Sequence, residues 1–369
     1  MTKTLRGMVC LLAAAGVVAG CGAPGADSDV VEAVSSALTV SDLALVNGWG
    51  PVPGPFPYPH NGPSAPGVTL NGGVVQLRGA MAGGSANSLA FTLPTAYRPS
   101  ATVYLPVSLC NAAKGRLVIN TTGEAYVYSE VGSGNATCTT SLEGLSYLKS
   151  TSGTTTLALL NGWTTTPYGT RAPAVAILGG AAKLVRLAGA MLTSGTNMSP
   201  FTIPAGMRPS ANVFLPVDMC NGTKGRLFIA PSGSVSVMAE TSVSNAQCFT
   251  SLEGVTYTTM TAAPTSFTCY DSISGWTMAP FATRGFCLVD DGGIMHLTGA
   301  VSTSGTNNFL TSFPTLNRPT RDMFVEVDLC NGQQGRITID QFGTMLVEAE
   351  HGFSQAACFT SLEGVSFVK

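Results

Sequence analysis

Cysteines and carboxylates are the side chains of this chain with the most chemistry to offer, and histidine is almost absent. Among 369 residues there are ten cysteines and twenty acidic residues, but only His60, His296 and His351. Thiols can pair as disulfides, hold a metal or attack a substrate, and two carboxylates flanking a glycosidic bond can cleave it. The cysteine spacing chooses among these. Cys110, Cys220 and Cys330 stand 110 residues apart, and so do Cys138, Cys248 and Cys358. No Cys-x-x-Cys or histidine cluster accompanies them, so a metal centre and a Cys-His nucleophile both lack their second half. The expectation is a disulfide per copy, Cys110–Cys138, Cys220–Cys248 and Cys330–Cys358, with Cys269–Cys287 as an extra pair in the third copy.

The carboxylates that recur are Glu130 with Glu143, Glu240 with Glu253, and Glu350 with Glu363. The second of each pair sits in Ser-Leu-Glu-Gly, a turn-like sequence, where a structural turn or salt partner outweighs glycoside cleavage. No catalytic constellation remains, and the chain is expected not to be an enzyme. Arg98, Arg208 and Arg318, each followed by proline, suit acidic sugars as ligand-binding residues, although pairing with the recurrent glutamate of the same copy accounts for them more simply. Trp49, Trp163 and Trp276 follow glycine, a context that suggests packing at a domain edge over sugar stacking. The Pro-rich stretch around Phe56, Tyr58 and His60 belongs to the first copy alone, which makes these residues candidates for a specialised contact loop. His296 replaces Gln76 and Arg186 of the other copies at what reads as an outward strand position.

Elements able to position such residues are strands. Val75, Leu77 and Gly79 alternate with Gln76 and Arg78, and the second and third copies repeat the pattern at Val185–Gly189 and Met295–Gly299. Glycine closes the same hairpin at Gly123, Gly233 and Gly343, where a φ above zero is required. No stretch has a helical stripe of useful length. A period of 110 residues exceeds a solenoid unit and equals one domain. The fold class expected is all-β: three tandem antiparallel β-sandwich, jelly-roll-like domains covering 38–149, 150–259 and 260–369.

Ahead of them, Lys3 and Arg6 precede an apolar run that ends in Val18-Ala19-Gly20-Cys21. This is a signal peptide over residues 1–20, too short to span a bilayer. Its ending resembles the lipobox of bacterial lipoproteins, which implies lipidation of Cys21, with 21–37 as a flexible tether. Gly22 in place of an aspartate favours the outer membrane. Loss of the signal removes two basic residues from a chain of net charge −2, leaving −4, with no basic stripe for nucleic acid. Charged residues amount to only 10%, a composition suited to an extracytoplasmic β-protein. No glycine-rich phosphate loop runs from a strand into a helix, and no cofactor is expected.

The series Asn161-Gly162-Trp163, Leu187-x-Gly189, Phe201-x-Ile203-Pro204, Arg208-Pro209, Gly225-Arg226 and Ser251-Leu252-Glu253-Gly254 resembles the C-terminal β-sandwich modules of phage tail-fibre and baseplate proteins. The likeness extends over all three copies. It implies a sandwich that commonly trimerises and recognises cell-surface saccharide, and with three copies on one chain the resemblance implies an intramolecular pseudo-trimer. The lipid anchor, the disulfide in each copy and three copies on one chain depart from that family. The expected function is thus a lipid-anchored cell-envelope protein whose repeats bind saccharide or another surface component. A structural envelope scaffold or spacer is the alternative, and a glycan-cleaving enzyme comes third.

Overall fold

The computed structural model describes residues 38–53, 60–179, 183–259 and 267–369. The segments expected to be a signal peptide and tether, residues 1–37 with Cys21, and the candidates Phe56 and Tyr58 lie outside the described residues. What is described is predominantly β, every strand pair is antiparallel, and no sheet closes into a barrel. The second copy shows the plan. One four-stranded sheet runs in the order Thr155–Thr156, Ala174–Ile177, Leu184–Ala188, Thr256–Thr258. A three-stranded sheet joins Trp163–Thr165, Ala190–Thr193 and Thr250–Ser251. The third joins Val213–Asp218, Lys224–Ile229 and Val235–Ala239. The same three sheets recur in the other copies, which add an edge strand, Leu89–Thr92 or Phe309–Ser312, to the third sheet.

Alternation drives each copy to bury one face of every sheet in its own apolar cluster. In the second copy, Val185, Leu187, Leu215, Leu227, Val237 and Tyr257 are all 3% exposed or less. Equivalent clusters form in the first and third. Gly123, Gly233 and Gly343 stand at φ +88°, +86° and +84°, the hairpin conformation that a Cβ would strain. All four expected cysteine pairs are disulfides. Helix is not wholly missing: Ser133–Cys138, Val243–Cys248 and Phe353–Cys358 each make one and a half turns and deliver the second cysteine. Six residues bury a single alanine apiece, Ala136, Ala246 and Ala356, so no apolar stripe exists for a sequence to reveal.

The copies also pack against one another in cyclic order. Arg116 of the first donates to the Asp218 carboxylate of the second at 2.6 Å and to the Met219 carbonyl. Arg226 of the second treats Asp328 and the Leu329 carbonyl of the third in the same way. Arg336 of the third reaches the Leu109 carbonyl of the first, and pairs with its own copy's Glu348 because Ser108 stands where the others carry aspartate. Lys114 gathers all three equivalent glutamates, Glu240 at 2.7 Å, Glu350 at 3.1 Å and Glu130 at 3.7 Å.

Candidate functional sites at the repeat junctions

The recurrent Ser-Leu-Glu-Gly is a fastening. Its serine hydroxyl donates to a strand carbonyl of another copy: Ser141 to Phe324, Ser251 to Tyr104 and Ser361 to Phe214. Its glutamate accepts the amide of the glycine that ends the Leu-x-Gly strand, Gly79, Gly189 or Gly299, at 2.7, 2.8 and 3.0 Å. Those glycines have φ between +84° and +94°, and a Cβ on any of them would lie within 2.5 Å of a backbone carbonyl oxygen. Burial raises the pKa of Glu143 to about 7 against the lowering effect of the Gly79 amide. Glu130, Glu240 and Glu350 serve Lys114 instead, so the two sets of recurrent carboxylates are spent on separate structural contacts.

Arg98, Arg208 and Arg318 correct the expected pairing with glutamate. Each donates its Nε to a carbonyl five residues upstream, Leu93, Ile203 or Phe313, at 3.0, 3.1 and 2.9 Å. The proline that follows biases the arginine to extended backbone, which turns its side chain back onto the loop. The three tryptophans are core residues, at most 8% exposed, with indole N–H groups bonded to Ser88, Asn197 and Phe309. His60 lies against the third copy, 3.5 Å from Asp322 and edge-on to Phe342.

Two equivalent clefts open where one copy meets the next. At the first–second junction, Tyr104 and Arg116 face Tyr168, Asn221 and Phe249 around about 200 Å³. At the second–third junction, Phe214 and Arg226 face Phe281, Asn331 and Phe359 around about 120 Å³. The guanidinium carbon of each arginine lies near two rings set edge to face, Arg116 5.1 and 5.4 Å from their centroids and Arg226 4.8 and 5.3 Å. Its N–H edges are occupied by the aspartate and carbonyl across the junction, so it braces the cleft and leaves recognition to its neighbours. Tyr168 and Phe281 are 62% and 60% exposed and stand at φ +53° and +55°. A left-handed backbone costs a bulky residue roughly 1 kcal/mol or more. The turn Thr166-Pro167-Tyr168, repeated as Ala279-Pro280-Phe281, holds an aromatic ring out of the protein against that cost. Asn221 and Asn331, exposed and also left-handed at φ +58° and +59°, present side-chain amides beside the rings. Asparagine tolerates this conformation, which explains why it follows the cysteine in every copy.

Sequence reasoning passed over Tyr168 and Phe281. A usable signal existed: each follows the recurrent tryptophan by five residues and a proline by one. The spacing between them is 113, however, and falls out of register with the cysteines. At the third–first junction Phe324 lies under Arg336 at 4.8 Å, but Thr139 stands where the others have Phe249 and Phe359.

No family model, curated protein or solved structure matches this chain. Four disulfides are compatible with an oxidising, extracytoplasmic location, and among the described residues no helix is long and apolar enough to cross a membrane.

Proposed function

We propose that this chain is a cell-envelope protein, held by a lipid on Cys21 at the outer membrane, whose three repeats form an intramolecular pseudo-trimer that binds saccharide at the clefts between them. The observation that carries the reading is the pair of strained, exposed rings, Tyr168 and Phe281, each beside an asparagine amide. Sugars offer one apolar C–H face and a rim of hydroxyls. An aromatic ring covers the first, and a side-chain amide both donates to and accepts from the second. The cyclic inter-repeat contacts support the pseudo-trimer, since every cleft is built from two copies and none would exist in an isolated one. Two weak sites on one rigid body gain affinity only for a ligand that reaches both.

The test is a bacterial and host glycan array probed with the purified protein and with the Tyr168→Ala/Phe281→Ala double variant. The expected result is a defined glycan set bound by the parent and at least tenfold weaker binding by the variant. Melting should be unchanged, because both rings are mostly in water. Parent-like binding by the double variant would remove the clefts from the account. Silence of the parent across the array would shift the reading to an envelope scaffold, for which the fastening role of the recurrent motif already provides.

A further inference from the structure

Departures from threefold repetition gather where the copies converge. Gln76, Arg186 and His296 fill one position of the repeat around a single cavity. They are 1%, 2% and 7% exposed, which corrects the outward placement that alternation suggested: the face opposite each copy's own core is covered by the other copies. A second departure has chemical consequences. Opposed strand ends in the third sheet of each copy pair Ser108 with Lys114, Asp218 with Lys224 and Asp328 with Gln334, so only the second copy keeps both a lysine and an aspartate. Both side chains are 0% exposed. Nζ of Lys224 donates to Oδ1 of Asp218 at 2.8 Å and to the Gly222 carbonyl at 2.6 Å. Arg116 of the first copy donates its Nε to the other oxygen, Oδ2, at 2.6 Å.

A third departure supplies an acid beside this pair. Glu326 of the third copy stands where the others have Pro106 and Pro216, on the strand Met323–Asp328, which packs against Val213–Asp218. Both its oxygens are shut off from water without a hydrogen-bond partner among the described residues. Burial dominates its pKa; of the charges acting on it Lys224 is the strongest and Asp218 the next, and the result is about 8. The carboxyl is thus protonated at neutral pH, and its pKa lies near the value at which a proton carrier works best. Lys114 is placed differently. Three carboxylates surround it, and against the lowering effect of burial Glu240, then Glu130 and Glu350, raise its pKa, which keeps that amine protonated and unreactive. Lys224 donates to one carboxylate only, and shares it with an arginine.

We propose that Lys224 and Asp218 condense into an intramolecular amide, with Glu326 as the proton carrier. One ammonium proton passes to the carboxylate through the contact already made, which leaves an amine and a carboxylic acid. Nζ then bonds to Cγ, a second nitrogen proton is relayed by Glu326 to Oδ1, and the Cγ–Oδ1 bond breaks to release one water. Ammonium plus carboxylate become a neutral amide plus water, so atoms and charge balance and no oxidant is needed. Oδ2, which carries the negative charge of the tetrahedral intermediate and becomes the amide oxygen, is the atom held by Arg116. Burial favours this outcome over a lasting ion pair, because two charges kept out of water are costly and a neutral amide removes both. The fold also holds the reacting groups in contact, which replaces an encounter in solution. The amide closes the turn that carries Cys220 and Asn221, and the proposal does not depend on what the junction clefts bind.

Tryptic peptide mapping of the purified, reduced and alkylated protein reads the bond directly, since trypsin cuts after a lysine only when its amine is free. The expected product is one peptide from Leu187 to Arg226, uncut at Lys224, lighter than its sequence by one water, and giving no tandem-mass fragments that separate Asp218 from Lys224. Lys114 should be cut normally in the same digest. Lys224→Arg should restore both the cut and the full mass, and Glu326→Gln should lower the cross-linked fraction at least tenfold. Should Glu326→Gln fail to fold, Glu326→Pro, the residue of the sister copies, gives the same reading. A parent digest cut at Lys224 with the water retained would overturn the proposal. So would loss of water with the cut still made, which marks dehydration elsewhere in the peptide, and an undiminished cross-link in a folded Glu326 variant would remove Glu326 from the reaction.

Discussion

Replacing Glu253 with alanine is expected to lower the unfolding free energy by about 3–5 kcal/mol, the cost of stripping one partner from a buried ion pair. The carboxylate is 1% exposed and holds Arg171 through both oxygens, at 2.7 and 3.1 Å, while one oxygen also accepts the Gly189 amide. Alanine would leave that amide unpaired, and Arg171 and Arg186 would remain as two buried cations with no anion between them. Glu143 offers the internal comparison. In the first copy Ser64 takes the place of Arg171, its carbonyl accepting the Ala80 amide as that of Arg171 accepts Ala190, one carboxylate oxygen of Glu143 has no partner among the described residues, and burial already favours the protonated form. Glu143→Gln keeps a carbonyl for the Gly79 amide and is expected to cost less than about 1 kcal/mol, a neutral hydrogen bond being worth roughly that much. Denaturant unfolding of both variants at pH 7 measures the difference. A Glu253→Ala protein within 1 kcal/mol of the parent would show that the fastening is not the ion pair.

Much of the fold was legible because its signals are covalent or local. Cysteines 110 residues apart mark repeats, a loop glycine marks a turn, and alternation marks a sheet face turned to its own core. What lay between the copies was not legible. Ser141, Ser251 and Ser361 read as turn residues, yet their hydroxyls are spent on a neighbouring copy, and nothing in one sequence records that pairing. The same gap misplaced His296, since period two separates the two faces of a strand but cannot say that both are covered. Arg98, Arg208 and Arg318 recur in every copy, and recurrence was compatible with a ligand, a glutamate or a loop carbonyl. Only geometry decided among them. Lys114 shows the limit in another form. Its counterparts are Lys224 and Gln334, so the departure from threefold repetition is visible in sequence, whereas the convergence of Glu130, Glu240 and Glu350 on one ammonium is not.

Glu326 breaks the repetition at the same packed centre, and its effect should appear as a slope with pH. The other copies carry Pro106 and Pro216 at this position, and all three residues line one narrow cavity with Leu105, Leu215 and Val325. Both carboxylate oxygens of Glu326 are closed off from water without a hydrogen bond among the described residues. Burial is the largest influence on its pKa and outweighs the opposing pull of Lys224 and Lys114; Asp218 and Glu130 push it the same way as burial, to about 8. A folded pKa above the unfolded one means that the fold binds the proton more tightly. The stability gained is therefore complete below about pH 4.5 and is lost as pH rises through about 8. Between pH 5 and 8.5 this single group should remove on the order of 3 kcal/mol, from 1.36 kcal/mol per pKa unit. Glu143, Glu130 and Glu363 are also raised, chiefly by burial, so the parent's total slope belongs to several groups. The difference between parent and Glu326→Gln isolates one of them. The variant should gain relative stability steadily as pH rises from 5 to 8.5, and Glu326→Pro, which restores the residue of the sister copies, should share that pH dependence. A parent-minus-variant difference that stays flat across this range would mean that Glu326 reaches water or finds a partner. The packed centre would then be open to solvent, and the sealed convergence of three copies would have to be abandoned.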